Sequence, residues 1–169
     1  SGEITIISLL DSYTDKLFVW VQSDDITSGM HKSLECINHP DNIDKINFSP
    51  TLSAWPDERS MLENFVSFLN KLDPDILIGW WLQGADIKQL ASRMKVCGLD
   101  PRKLSPMNSH KYEYKEWDQP IVGRLCFDLK AGFVKLWSIK NGQLPGEKLD
   151  DVAWEALKER KVELPDGHD

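Results

Sequence analysis

The stretch DPDILIGWWLQGADIKQLASRM, residues 73–94, contains the change of hydrophobic period that decides the fold. An Asp-Pro turn precedes the apolar run ILIGW, which predicts a short central strand covered on both sides. Apolar residues then recur at helical spacing, namely Ile87, Leu90, Ala91 and Met94, and predict a helix that Gly98 ends. Asp86 stands where this helix begins. Its carboxylate can either ligate a metal or cap the helix by accepting backbone N–H bonds.

The rest of the chain alternates strand-like and helix-like segments. Two β-branched runs, EITIISLL and KLFVWVQ, flank the turn formers DSYTDK and predict a β-hairpin. Residues 56–72 predict an amphipathic helix with acidic residues first and Lys71 near its end. PIVGRLCFD predicts a further strand, LKAGFVKLW and KLDDVAWEALKER predict helices, and residues 23–54 predict a long connection with one short strand at 43–48. This order predicts an α/β layered domain.

Composition limits the classes of function that the chain can perform. The 169 residues carry 27 Asp and Glu against 20 Lys and Arg, a net charge of −7, which argues against tight autonomous binding to nucleic acid. The sequence contains no apolar run of membrane-spanning length and no signal peptide. Three cysteines and four histidines lie far apart along the chain, so neither a zinc site nor a disulfide framework is indicated. We therefore expect a reduced, intracellular protein.

The words DPDILIGW, GRLCFDLKAGFVKLW and LPGEKLDDVAWEAL, in this order, resemble the proofreading 3′–5′ exonuclease domain of family B DNA polymerases. The family's second exonuclease motif reads DPDIIxGWN with xxFD at a helix start, and Asp86 occupies the position of that Asp. SGEITIISLLDSYTDKLFVW is similar to the hairpin after the family's first motif. The resemblance implies an RNase H-like fold, with a mixed central sheet flanked by helices, and one exonuclease-like domain over residues 1–169. The first-motif strand and third-motif helix are expected to be missing from it.

The resemblance also implies a catalytic chemistry based on two Mg²⁺ or Mn²⁺ ions, which several converging carboxylates must hold. The family takes these from a D-x-E motif, from the Asp at position 86, and from a later Y-x-x-x-D motif. No D-x-E occurs in the sequence, and YKEWD at 114–118 lies too early in the order to be the third motif. Asp86 is then the one inherited catalytic and metal-ligand position. We predict that the chain alone is inactive, binds no ion tightly, and uses Asp86 as a helix cap.

Two positions inside the motif depart from the family pattern. Trp81 replaces the family's Asn, and Ala85 replaces its Phe; both family residues are implied to contact the frayed primer end. Trp81 can still stack on a base, and Lys88 and Arg93 follow on the next helix. We predict these three as DNA-binding residues. The expected partners are the single-stranded primer end and the polymerase domain. The expected location of the protein is the cytoplasm, the nucleoid or the nucleus.

Other readings remain open for the chain and for several of its residues. The domain can be an active exonuclease whose remaining motifs lie elsewhere in a longer protein, or an unrelated α/β interaction module. Asp128, between a strand and a helix, favours an N-cap over a place in the cleft. Trp80 and Trp81 adjoin, so at least one is expected in the core. Packing roles are expected for the tryptophans on apolar patterns, which are Trp20, Trp137 and Trp154.

Overall fold

The computed structural model describes residues 2–23, the backbone of 31–33, and residues 50–109 and 119–160. The predicted strand at 43–48 and the YKEWD segment lie outside these residues. The described strands are β1 (Ile6–Asp11), β2 (Lys16–Gln22), β3 (His31–Ser33), β4 (Thr51–Trp55), β5 (Ile76–Gly79) and β6 (Leu125–Asp128). The helices are α1 (Glu58–Leu72), α2 (Ile87–Val96), α3 (Leu129–Asn141) and α4 (Leu149–Leu157). A π-helical turn (Leu82–Asp86) precedes α2, and a 3-10 turn (Pro101–Leu104) follows it.

These strands form two sheets. The first is mixed, with the order β1-β2-β4-β3, in which β1 and β2 are antiparallel, β2 and β4 parallel, and β3 and β4 antiparallel. The second is a parallel pair of β5 and β6 that brings Gly79 opposite Asp128. The predicted hairpin is confirmed as β1 and β2, and the α/β class is confirmed by the alternation of both sheets with four helices.

β4 corrects the prediction that residues 23–54 form a connection with one strand at 43–48. Its buried residues are the small side chains Ser53 and Ala54, so no hydrophobic alternation marks it in the sequence. Its parallel partner β2 lies about thirty residues earlier in the chain, and crossover pairing of this kind leaves no local pattern.

α1 carries the main core. Asp57 caps it by accepting a bond from the Ser60 amide at 2.8 Å, and the predicted apolar face is buried against β2 and α2. Trp20 on β2 is 2% exposed and donates its indole N–H to Asn64, which confirms its packing role. The fully buried side chains include Met61, Leu62, Leu69, Met94, Leu104 and Ile121. Hydrophobic burial on this helix therefore helps to fix the position of α2, which follows directly after Asp86.

β5 is a strand, as predicted, but it is not covered on both sides by the described residues. Ile76 and Ile78 are 50% and 59% exposed, whereas Leu77 between them packs against the core. A short continuous apolar run shows that a strand is hydrophobic on both faces, but it does not show whether a second layer covers each face. The prediction of two-sided burial is therefore wrong for the described part of the fold.

Gly98 stops α2 as predicted, because it adopts φ of 73° and its amide bonds to the Lys95 carbonyl at 3.0 Å. Across the described residues, every helix is too short or too polar to cross a lipid bilayer.

Candidate functional site

The candidate site lies at the carboxyl ends of the parallel strands β5 and β6. Gly79 ends β5 and Asp128 ends β6, and the two residues are paired across the sheet. Asp86 approaches the same end, since a methyl group added to Gly79 would lie 3.7 Å from its Oδ2 atom. Ligands in open α/β sheets bind outside the carboxyl ends of strands. The fold thus brings together two carboxylates that the sequence separates by 42 positions.

Asp86 does not cap the helix, which corrects the role predicted for it. It has helical φ and ψ of −60° and −49°, and its side chain makes no cap bond. The reason is the π-helical turn before it. The amide of Ala85 donates to the Trp81 carbonyl at 2.9 Å. The amide of Ile87 donates to the Leu82 carbonyl. The π-helical turn runs directly into α2, so Asp86 lies inside a continuous helical segment and not at a free helix start where a cap would be needed.

Asp128 is the cap that the sequence predicts, and it has a second role. Its carboxylate accepts bonds from the α3 amides of Lys130 at 3.0 Å and Ala131 at 3.4 Å. It also accepts the amides of Trp81 at 3.1 Å and Gln83 at 3.3 Å. One side chain therefore stabilises the start of α3 and holds the turn that leads to Asp86.

Burial and the charge of Asp128 both act on Asp86. The pKa of Asp86 is raised above its ordinary value, first because surrounding protein atoms displace water and second because Asp128 is negatively charged. Asp86 is nevertheless exposed by its surface area. Both observations fit a carboxylate at the mouth of an open cleft, where one side faces solvent and the other faces protein. The direction of the shift opposes ionisation of Asp86 in the folded state.

The pair does not fit a site for two divalent ions. Mg²⁺ and Mn²⁺ need several oxygen ligands, and Asp128 already accepts four backbone N–H groups. Among residues 2–23, 50–109 and 119–160, no three His, Cys, Asp or Glu side chains come together in a way that could hold a metal. Within that described part of the chain, Asp86 has one carboxylate neighbour, Asp128, which is fewer ligands than two-metal hydrolysis requires.

Trp81 is the most exposed aromatic ring at this site, with 53% of its surface accessible. Its backbone is left-handed, with φ of 60° and ψ of 31°, an unusual conformation for a bulky residue. Lys130 places its Nζ atom 5.1 Å from the centre of the ring. Trp80 packs instead against Phe133 of α3, with ring centres 6.1 Å apart. Trp80 is half-buried against a helix that has no buried residue, and Trp81 is exposed, so neither ring belongs to the buried core, which corrects the prediction that at least one would. Trp154 on α4 is 44% exposed as well, which corrects the packing role predicted for it.

The two predicted basic residues have different surroundings. Lys88 is exposed on α2, next to the site. Arg93 points to Glu58 instead, which accepts bonds from its Nε at 2.8 Å and its Nη2 at 2.5 Å. The Arg93 side chain is only 15% exposed. The geometry gives Arg93 a packing role beside α1, and its assignment to DNA binding stays a prediction.

Sequence reasoning missed three residues of the site, which are Gln83, Gly84 and Lys130. Gln83 is 4% exposed and donates its side-chain amide to the Cys126 carbonyl at 2.8 Å, joining the turn to β6. No sequence pattern marks this contact, because it depends on the pairing of β5 with β6. Lys130 had a weak marker, since it follows Asp128 by two positions and so lies in the first turn of α3.

A cleft of about 870 Å³ opens beside the site between β1 and β5. Residues 3–12 line one wall and residues 76–79 the other, and Asp86 lies at its border. Among the described residues, β1 is an edge strand of the mixed sheet and β5 pairs only with β6. The open edges of both sheets therefore face one apolar cleft.

Comparison with known proteins identifies the class to which this fold and site belong. Residues 3–143 match the family model described as DNA polymerase family B, exonuclease domain. The chain therefore belongs to this family, which implies an RNase H-like fold. The match confirms the resemblance read from the sequence and excludes an unrelated interaction module.

One relative is the DNA polymerase zeta catalytic subunit of Arabidopsis thaliana. The two sequences are 36% identical over 83 residues, which is 47% of this chain and 4% of that protein. The chain therefore spans a small part of the length of this relative.

We expect the Asp86→Asn variant to be at least as stable as the unmodified protein at pH 7. A raised folded-state pKa means that ionised Asp86 opposes folding above that pKa. As pH falls through the raised pKa, Asp86 becomes protonated in the folded protein and the unmodified protein becomes more stable. The stability difference between the Asp86→Asn variant and the unmodified protein should therefore shrink towards pH 3.8, the ordinary pKa of Asp. Thermal unfolding from pH 7 to pH 3.5 measures this difference. Asp75→Asn, on the exposed approach to β5, is the control; a lower melting temperature for Asp86→Asn at pH 7 would contradict the expectation.

Proposed function

We propose that this chain is an exonuclease-like domain that does not cleave DNA by itself. In this proposal residues 1–169 form one domain of a longer family B DNA polymerase, support its polymerase domain, and guide a single-stranded primer end. The observation that carries the proposal is the isolation of Asp86. The neighbouring carboxylate, Asp128, already accepts four backbone N–H groups, and the described residues offer no third ligand.

The chemical argument concerns charge. Hydrolysis of a phosphodiester by two metal ions requires one ion to generate hydroxide and both to stabilise charge on the phosphate. Two divalent ions carry four positive charges, which one exposed carboxylate with an already raised pKa cannot balance. Loss of the Asn and Phe positions to Trp81 and Ala85 removes the family's contacts to the primer end as well. Both changes are those expected of an exonuclease fold that has lost its catalytic role.

A nuclease assay tests the proposal. The protein is incubated with a 5′-labelled single-stranded oligonucleotide while Mg²⁺ or Mn²⁺ is titrated, and we expect the oligonucleotide length to stay constant. The Asp86→Ala variant should give the same trace. An ion bound at Asp86 would stabilise the folded unmodified protein and not the Asp86→Asn variant. Since we expect no ion to bind tightly there, added Mn²⁺ should raise the two melting temperatures by equal, small amounts. Metal-dependent shortening from the 3′ end, lost in Asp86→Ala, would overturn the proposal.

An active proofreading exonuclease is the second candidate, and the cleft between β1 and β5 favours it. Strands lie about 4.8 Å apart, rise about 3.3 Å per residue and occupy a layer about 10 Å thick, or roughly 160 Å³ per residue. A cleft of about 870 Å³ therefore has room for a strand of about five or six residues. A strand from another part of a longer protein could bring further carboxylates to the border where Asp86 lies.

The two candidates differ in what the longer protein does. If the cleft receives such a strand, the full polymerase should shorten the labelled oligonucleotide with Mg²⁺ or Mn²⁺, and Asp86→Ala should abolish the shortening. If the domain is inactive, neither the full polymerase nor its Asp86→Ala variant should shorten the labelled oligonucleotide. The domain assayed alone and the full polymerase assayed in parallel therefore separate the candidates.

A further inference from the structure

We propose that Asn141, the last residue of α3, is a site of spontaneous deamidation, at which water converts the side-chain amide into an aspartate or isoaspartate carboxylate. The inference is independent of the proposed function, because it concerns the covalent chemistry of the backbone at the end of one helix. We call Asn141 and Gly142 together the Asn-Gly site.

The reaction needs an asparagine that is followed by a residue without a side chain. The backbone nitrogen of Gly142 attacks the side-chain carbonyl carbon of Asn141 and forms a new N–C bond. The side-chain nitrogen leaves as ammonia, with the proton that the backbone nitrogen gives up. Water then opens the resulting five-membered ring at either of its two carbonyl groups, which yields aspartate or isoaspartate. Asn141-Gly142 is the one Asn-Gly pair in the sequence.

The attacking nitrogen of the Asn-Gly site is open to approach. Asn141 and Gly142 are both exposed, and a Cβ atom added to Gly142 would meet no heavy atom within 4 Å. Gly142 has φ of 83° and ψ of −161°, a conformation that glycine adopts without strain and that other residues avoid. The backbone therefore requires glycine at the position where the reaction also requires it.

The backbone of the Asn-Gly site can turn towards the attacking geometry without breaking a helical hydrogen bond. Asn141 ends α3, so its carbonyl is one of the last four that have no partner within the helix. After α1, α2 and α4 the amide of the next residue donates back into the last turn, at Asp73, Cys97 and Lys158. The Gly142 amide makes no such bond. Rotation about the Cα–C bond of Asn141 therefore moves two groups that α3 does not hold.

Three other asparagines in residues 50–109 and 119–160 lack one or more of these conditions. Asn64 and Asn70 lie inside α1, and their side-chain amide groups are hydrogen-bonded at 2.8 Å and 2.7 Å. Asn108 is exposed like Asn141, but the next residue is Ser109, whose Cβ atom hinders attack by the backbone nitrogen. Asn108 is therefore the matched comparison within the same chain.

Conversion of Asn141 should weaken the last turn of α3. A new carboxylate would lie at the negative end of the helix dipole, where Lys140 is the favourable basic residue. Isoaspartate also adds one carbon atom to the backbone before Leu144, which is 9% exposed and anchors the connection to α4. We therefore expect the backbone amides at the end of α3 to exchange their hydrogens faster after the reaction.

The test is peptide mass mapping of the purified protein during incubation at about 37 °C and about pH 8.5, where backbone nitrogens lose protons more readily. Replacement of NH₂ by OH should make the peptide with Asn141 about 1 Da heavier and split it into two chromatographic forms, aspartate and isoaspartate. The peptide with Asn108 should gain this mass much more slowly. Gly142→Ala keeps Asn141 but puts a Cβ atom beside the nitrogen, so the mass gain should be lost.

Hydrogen exchange of two variants tests the structural effect. Asn141→Asp carries one of the two products, and it should exchange the amides of residues 138–141 faster than the unmodified protein does. Asn108→Asp adds the same charge away from α3 and should leave those amides unchanged.

Several outcomes would overturn the inference. Absence of mass gain at Asn141, over a time in which a synthetic peptide of residues 137–145 deamidates, would show that the fold protects the site. Equal rates at Asn108 and Asn141, or an unchanged rate in Gly142→Ala, would show that the open glycine nitrogen does not direct the reaction. Unchanged exchange in Asn141→Asp would remove the effect on α3 and leave the modification site. Mass mapping uses the unmodified protein, so it decides the question even if a variant does not fold.

Discussion

Replacing Arg124 with methionine should lower the free energy of unfolding by about 3 kcal/mol, as estimated from the polar groups it leaves unpaired. The Arg124 side chain is 1% exposed and donates to the Pro74 carbonyl at 2.6 Å and the Leu104 carbonyl at 3.1 Å. It also contacts the Asp73 carboxylate at 3.0 Å and the Asn70 side chain at 3.4 Å. Methionine fills similar volume but donates no hydrogen bond, so buried carbonyl groups lose their partners.

For a domain of this size, that loss corresponds to a melting temperature roughly 6–12 °C lower. Urea unfolding followed by circular dichroism measures the loss of free energy of unfolding. Arg102→Met is the control, because Arg102 forms a short-range pair with Asp100 and its side chain is 55% exposed. The control should change stability by less than about 1 kcal/mol. Equal losses in the two variants would show that the Arg124 contacts do not stabilise the fold. Since Arg124 joins the end of α1 to the start of β6, its loss should also loosen the strand that carries Asp128.

Glu58→Gln should reduce the free energy of unfolding by about 3 kcal/mol at pH 7. Glu58 is 3% exposed and accepts bonds from Arg93, from the Ile4 amide at 2.8 Å and from the Cys97 thiol at 3.3 Å. The Arg93 guanidinium, above all, lowers the pKa of Glu58 from 4.5 to about 2, against the opposing effect of burial. Glutamine keeps the shape of the side chain but leaves the cation without its counter-charge.

The pH dependence identifies the cause. A carboxyl group whose pKa is lowered on folding contributes stability above its unfolded value, and this contribution disappears as pH falls through the folded value. The difference between the unmodified protein and Glu58→Gln should thus be full above pH 4.5 and diminish towards pH 2. Glu63→Gln, in an exposed pair with Arg59, should show little difference at any pH. A Glu58→Gln difference that stays constant from pH 7 to pH 2.5 would mean that packing, and not charge, explains the loss.

The sequence predicted those elements that have local patterns. α1 was predictable from apolar residues at helical spacing behind the cap Asp57, and the hairpin from two β-branched runs around a turn. The cap role of Asp128 followed from its place between β6 and α3. β4 was not predictable in this way, because small buried residues and a distant parallel partner give no local hydrophobic period.

The sequence by itself determined the family, since the ordered words of the motif are a property of the chain alone. Only the tertiary structure decided where Asp86 and Trp81 lie and which groups contact them. The π-helical turn places Asp86 inside a continuous helical segment, where its side chain makes no cap bond, and the pairing of Gly79 with Asp128 brings a second carboxylate to its side. The same pairing fixes Trp81 beside Lys130. The contacts that Asp128 and Lys130 make with this turn join residues more than forty positions apart, so they depend on strand register and backbone hydrogen bonding rather than on any local pattern.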